Sequence, residues 1–141
     1  MLGGVTSANI NIMNRIISPD AIAAPAANYA HAILTTDAAS WLHASGAVGT
    51  LPDGTVPDSI DAQVDAIWVN LLAIVAEAGM TADDIVSITT YVVAEFIDSL
   101  GIVMAARDRR LGGRRVASTL VAVPALARPH WKVEFALVAA H

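Results

Sequence analysis

One carboxylic acid stands apart from the chain around it. Glu134 lies in the middle of the otherwise apolar run 131–139 (WKVEFALVA). An acidic group in such surroundings is a candidate for acid–base chemistry. The alternative is a plain surface ion pair, because alternation along a strand places Lys132 on the same face as Glu134.

The strongest charge feature is the segment 107–115 (RDRRLGGRR), which holds five of the eight Lys and Arg residues. Arginines near a helix C-terminus complement its dipole and remain solvated, which is the plainer interpretation. The alternative is a contact patch for an anion or for RNA. The net charge of −5 argues against nucleic acid as a partner.

Other common reaction centres are not indicated. The four histidines, His31, His43, His130 and His141, show no metal-ligand spacing. The chain has no cysteine, which excludes disulfides and thiolate nucleophiles and fits a reducing, cytoplasmic location. Neither a phosphate-binding loop nor a GxGxxG pattern is present. We therefore expect no metal, no cofactor and, since no apolar run reaches about 20 residues, no membrane partner.

Length and composition predict one folded domain over residues 1–141. The chain is 55% hydrophobic and only 15% charged, which excludes intrinsic disorder. A surface so poor in charge is expected to be partly covered by other copies of the chain.

The residue pattern predicts an α+β fold of order ββαβαββ, with one sheet and two helices on one of its faces. Strands are expected at 28–36 and 41–48, as a hairpin, then at 85–93, 115–123 and 131–139. Strand 85–93 is expected to be largely covered by helices. One helix should begin at Asp58 or Ser59 and end at Gly79, and another should span 95–110. The second sheet face must then be buried, and self-association is the simplest way to do so.

Seven segments in order resemble the Rid family, also called the YjgF family of reactive intermediate imine and enamine deaminases. They are 28–32 (NYAHA), Ser45-Gly46, Gln63, 70–79 (NLLAIVAEAG), 85–91 (IVSITTY), 116–119 (VAST) and Val133-Glu134. The resemblance implies a chorismate-mutase-like homotrimer with small-molecule sites at the subunit interfaces.

The resemblance also implies roles for individual residues. Glu134 corresponds to the glutamate that helps water attack the imine carbon, and Thr119 could orient a water or ligand oxygen. Tyr29, Ser45 and Gly46 correspond to the pocket wall, and Ser118 to a further substrate-binding residue. The family arginine that holds a substrate carboxylate immediately precedes Ser-Thr, and here that position, before Ser118, is Ala117.

Two consequences of Ala117 stay open at this stage. Either Arg115, or else Arg114 or Arg128, supplies a relocated contact for an anion, or the pocket accepts a neutral ligand. The resemblance favours an imine or enamine deaminase with an atypical substrate anchor. The alternatives are a non-catalytic trimer that binds a small metabolite or acts as a regulator, and an endoribonuclease.

Overall fold

The structure, a computed structural model, describes residues 13–141. Its elements are β1 (Asn14–Ile17), β2 (Ala32–Thr35), β3 (Trp41–His43), α1 (Ile60–Glu77), β4 (Ile85–Val93), α2 (Leu100–Arg110), β5 (Ala117–Val123) and β6 (Val133–Ala140). Two short 3-10 segments, Ala82–Asp84 and Ala94–Ser99, precede β4 and α2. This confirms the predicted α+β fold with two helices.

Helix α1 begins and ends where the sequence predicts. The Ser59 side chain caps it by accepting a hydrogen bond from the Ala62 N–H, which satisfies one of the free donors of the first turn. Gly79 follows the helix with a φ of +73°, a conformation that favours glycine. Between these ends, the apolar face of α1 is buried in the core, with Trp68 packed edge-on against Phe135 at 5.4 Å between ring centroids.

The main sheet has four strands in the order β3-β6-β4-β5, in which only β4 and β5 are parallel. Strands β1 and β2 form a separate antiparallel pair. The predicted hairpin between the second and third strands is therefore wrong, because β2 pairs with β1 whereas β3 pairs with β6. The alternation that identified both strands carries no information about their partners.

Both helices cover the same face of the main sheet. In β4 the buried residues Val86, Ile88, Thr90 and Val92 alternate with partly exposed ones. The expectation that β4 is largely covered by helices is correct for one face only, because its other face remains accessible. We call this accessible side the open face; its residues on the three longest strands are Ser87, Thr89, Tyr91, Ala117, Thr119, Val121, Glu134, Ala136 and Val138.

A buried glutamine on α1 fixes the approach to β6. Gln63 is only 1% exposed, and its amide donates to the carbonyls of Pro57 at 2.8 Å and His130 at 2.9 Å. Its Oε1 accepts from the Lys132 N–H at 3.0 Å. These bonds hold the chain immediately before β6 and thereby set the position of Glu134.

None of the helices in residues 13–141 is both long and apolar enough to cross a membrane.

Candidate active site

Glu134 lies on the open face, half-buried against the backbone of Gly46. The segment beside it is held to β6 by two hydrogen bonds, from Ala47 N to Phe135 O at 2.7 Å and from Phe135 N to Ala47 O at 3.1 Å. A methyl group on Gly46 would overlap Glu134 Oε1. Glycine is thus required for the carboxylate to lie here, and the structure places two candidate residues, Gly46 and Glu134, side by side, with Ser45 next to Gly46 in the chain.

Lys132 does not pair with Glu134. Its Nζ donates to the carbonyl of Asp58 and lies 4.9 Å from the centroid of the Phe96 ring. Strand β6 begins only at Val133, so the alternation that placed Lys132 on the face of Glu134 does not extend to it. No described cation forms a salt bridge with Glu134, and the alternative of a surface ion pair is therefore wrong.

Thr119 and Ala117 also lie on the open face. Thr119 is opposite Thr89, and Ala117 is opposite Ser87. Ser118 points to the helix side, where its hydroxyl accepts a hydrogen bond from Arg107 at 3.1 Å. The expected role of Ser118 in substrate binding is therefore not supported, because its hydroxyl faces the helices and is occupied by Arg107.

The candidate residues of one chain form two separate groups. Tyr29 is next to β5, because Ala30 N donates to Val116 O at 2.9 Å. Ala117 is aligned through Ser87 with Val138, four residues from Glu134, or about 13 Å along the strand direction. Tyr29, Arg115 and Ala117 therefore lie at the outer edge of β5, away from Glu134 and Gly46 of the same chain.

The arginine cluster is not uniformly solvated. Arg107 is 3% exposed, and it donates to the Asn28 carbonyl at 3.0 Å and to Asp108 Oδ1 at 2.9 Å as well as to Ser118. The interpretation of these arginines as solvated is therefore wrong for Arg107, whose burial also removes one cation from any RNA contact patch.

The three arginines considered as relocated anion contacts, Arg114, Arg115 and Arg128, differ in their hydrogen bonds and exposure. Arg114 donates to the carbonyls of Ala82 and Ile85 and so ties the end of the α2–β5 loop to the start of β4. Arg115 is exposed, and its Nε donates to Asn28 Oδ1 at 3.2 Å. Arg128 is exposed in the loop between β5 and β6.

The sequence reasoning missed the polar residues of β4. Tyr91 is directly opposite Glu134, and Thr89 is opposite Ala136. A shallow groove of about 120 Å³ lies on this face, lined by Ser87, Thr89, His43, Ala44, Ala136, Leu137 and Val138. The available signal was the alternation within IVSITTYVV, which separates Ser87, Thr89 and Tyr91 from the buried residues between them.

In the part of the chain that the structure describes, no three His, Asp or Glu side chains are grouped as metal ligands.

Solved structures similar to this chain belong to the same fold. A Rid-family protein of unknown function, YyfB from Yersinia pestis, aligns with a TM-score of 0.82 and 26% identity, over 92% of this chain and 100% of that one. A second Rid-family protein of unknown function from Yersinia pestis, YyfA, aligns with a TM-score of 0.67 and 25% identity, over 91% of this chain and 99% of that one. RidA from an Antarctic Psychrobacter species aligns with a TM-score of 0.67 and 20% identity, over 90% of this chain and 99% of that one. At this identity the likeness shows the fold alone.

Comparison with curated proteins gives no match. The family model described as endoribonuclease L-PSP matches residues 19–141, nearly the whole chain. With this match and the Rid-family structures that share the fold over their full length, the chain belongs to the Rid (YjgF) family.

Proposed function

We propose that this protein hydrolyses reactive imines or enamines to carbonyl compounds and ammonia, with Glu134 as the acid–base group. Membership of the Rid family supports a Rid-type function in general. The observation that carries the specific proposal is the environment of Glu134, whose carboxylate is half-buried against Gly46 with no salt bridge to a described cation.

The reaction requires one group that both takes and gives a proton. Glu134 accepts a proton from water as the water oxygen bonds to the imine carbon, and the C=N π electrons move to nitrogen. The nitrogen takes up protons, one of them from Glu134, until the C–N bond breaks and ammonia leaves. The sum is R₂C=NH + H₂O → R₂C=O + NH₃. A well-placed carboxyl group accelerates such proton transfers by about 10²- to 10⁴-fold.

We propose that the complete site lies between copies of the chain, in a homotrimer. Two features support this. The open face includes strongly exposed apolar side chains, with Trp41 of β3 at 53% and Val121 at 39%, which favours burial by a partner. Within one chain, Tyr29 and Ala117 also lie too far from Glu134 to share a small ligand with it. Sedimentation equilibrium tests the assembly: three times 14.6 kDa is expected, and a monomer at assay concentration would contradict it.

The enzymatic proposal is tested by the rate of ketone release from imines generated in solution. The native protein should accelerate hydrolysis of imines without a carboxylate, and Glu134→Gln, which keeps size and loses the proton-transfer function, should abolish the acceleration. An Ala117→Arg variant should extend the activity to imino acids. If only Ala117→Arg is active, the native protein is a metabolite-binding member of the family. We place the reaction in the cytoplasm, which fractionation of cells expressing the protein from its own promoter would test.

A further inference from the structure

Three hydroxyl groups lie next to one another on the open face. Thr89 of β4 is directly opposite Thr119 of β5, and Ser87 precedes Thr89 by two residues on the same face. We call Thr89 and Thr119 the hydroxyl cluster; Ser87 is opposite Val138, four residues from Glu134, and is not part of it. The hydrogen bonds of Ser and Thr hydroxyls in residues 13–141 are made by Thr35, Thr55, Ser59, Thr81 and Ser118, so the hydroxyls of Ser87, Thr89 and Thr119 are without a described partner.

The hydroxyl cluster adjoins the proposed acid–base group. Thr89 is opposite Ala136, whereas Glu134 is opposite Tyr91. Thr89 and Glu134 are therefore diagonal neighbours across the β4–β6 pair, about 7 to 8 Å apart. A small molecule whose reacting carbon lies beside Glu134 can reach the hydroxyl of Thr89, and through it that of Thr119.

In residues 13–141, no described hydrogen bond or salt bridge joins a Lys or Arg side chain to Glu134, Ser87, Thr89 or Thr119. Lys132 is engaged with Asp58 and Phe96. Arg107 is buried behind β5, and Arg115 donates to Asn28 at the outer edge of the sheet. The acidic group of the open face on β4, β5 and β6 is Glu134, which repels a substrate carboxylate.

The chemistry of these groups selects for an uncharged partner. A hydroxyl both donates and accepts a hydrogen bond, and so it matches an amide, an alcohol or a carbonyl group. A carboxylate taken from water into a site without a cation loses hydration that hydroxyls alone do not replace.

We infer that the hydroxyl cluster is the substrate anchor of this protein and that it selects neutral, hydrogen-bonding substrates over carboxylates. The inference relies on the proposed function for the identity of the reaction, but it concerns binding and is testable without catalysis.

The test compares pyruvamide with pyruvate, which differ by an amide in place of a carboxylate, by saturation-transfer NMR on the native protein. Pyruvamide is expected to bind at least tenfold more tightly. The double variant Thr89→Val with Thr119→Val keeps side-chain shape and should lose that preference, whereas Thr36→Val, in an exposed loop, should retain it. Thr89→Ala alone, a smaller change, should lower the affinity for pyruvamide and serves if the double variant does not fold.

Tighter binding of pyruvate, binding of neither compound, or an unchanged preference in the hydroxyl variants would each overturn the inference. The two proposals fail separately. Absence of imine hydrolysis with retained pyruvamide selectivity would remove the enzymatic function and leave the anchor. Imine hydrolysis with equal binding of the two probes would remove the anchor and leave the function.

Discussion

Replacing Arg107 with alanine should destabilise the protein strongly, although this residue lies in a segment that resembles a solvated basic patch. The buried guanidinium makes hydrogen bonds to Ser118 Oγ, the Asn28 carbonyl and Asp108 Oδ1. Its removal leaves these acceptors without their donor; a hydrogen bond from a charged donor is worth about 1.5 to 3 kcal/mol and the Asp108 side chain is already 34% exposed, so a total loss of about 3 kcal/mol is expected. Arg109 is the matched control. Its side chain is 65% exposed, and its Nη2 lies 3.9 Å from Asp65 Oδ1, a long surface contact worth less than about 1 kcal/mol.

Urea unfolding, followed by far-UV circular dichroism at one fixed protein concentration, measures the difference. With an m value of about 2 kcal/mol/M, Arg107→Ala should lower the midpoint by about 1.5 M, and Arg109→Ala by less than about 0.5 M. Equal midpoints for the two variants would refute the assignment of Arg107 as the residue that ties the 28–30 segment and β5 to α2.

Three further predictions follow from single contacts. Gly46→Ala should lower kcat for imine hydrolysis by tenfold or more, because the new methyl group displaces the carboxylate of Glu134. The urea midpoint should change little, because Gly46 lies in an exposed loop; unchanged kcat would contradict this contact. Gln63→Ala should lower the free energy of unfolding by about 2 to 4 kcal/mol in the same urea assay, since it removes three partly buried hydrogen bonds to the backbone; a loss below about 1 kcal/mol would contradict it. Hydrogen bonds from the side chain and backbone N–H of Thr55 lower the pKa of Asp53, so the turn is most stable above the ordinary carboxyl pKa and loses this contribution as pH falls through the lowered value; Thr55→Val should raise that pKa in an NMR titration, and an unchanged pKa would contradict the side-chain bond.

The fold could be predicted from the sequence where local signals are strong. The cap at Ser59, the helical period that follows and Gly79 determine α1, and the β-branched run determines β4. The pairing of strands could not be predicted, because β2 and β3 show a similar alternation of residues yet belong to different sheets. Strand β1 was missed, since its four residues (NRII) are too few to show a period.

The candidate site could be predicted from the sequence only in part. Glu134 is a candidate from sequence because an acid interrupts an apolar strand, and the resemblance named Gly46 as part of the pocket wall; their contact is seen only in the structure. The role of Arg107 could not be read from its position beside other arginines, because its partners at Asn28 and Ser118 come together only in the fold. Ser87 and Thr89 were missed, although Thr119 was not, because β4 was expected to be largely covered by helices, and this hid the alternation of its polar residues with buried ones.

The central claim is that Glu134 catalyses imine hydrolysis, and one rate comparison tests it most directly. Ketone release from an imine without a carboxylate should be faster in the presence of the native protein than in buffer. Glu134→Gln, with an unchanged urea midpoint, should reduce the rate above buffer by about 10²-fold or more. A Glu134→Gln variant as active as the native protein, or a native protein without activity on any such imine, would contradict the account.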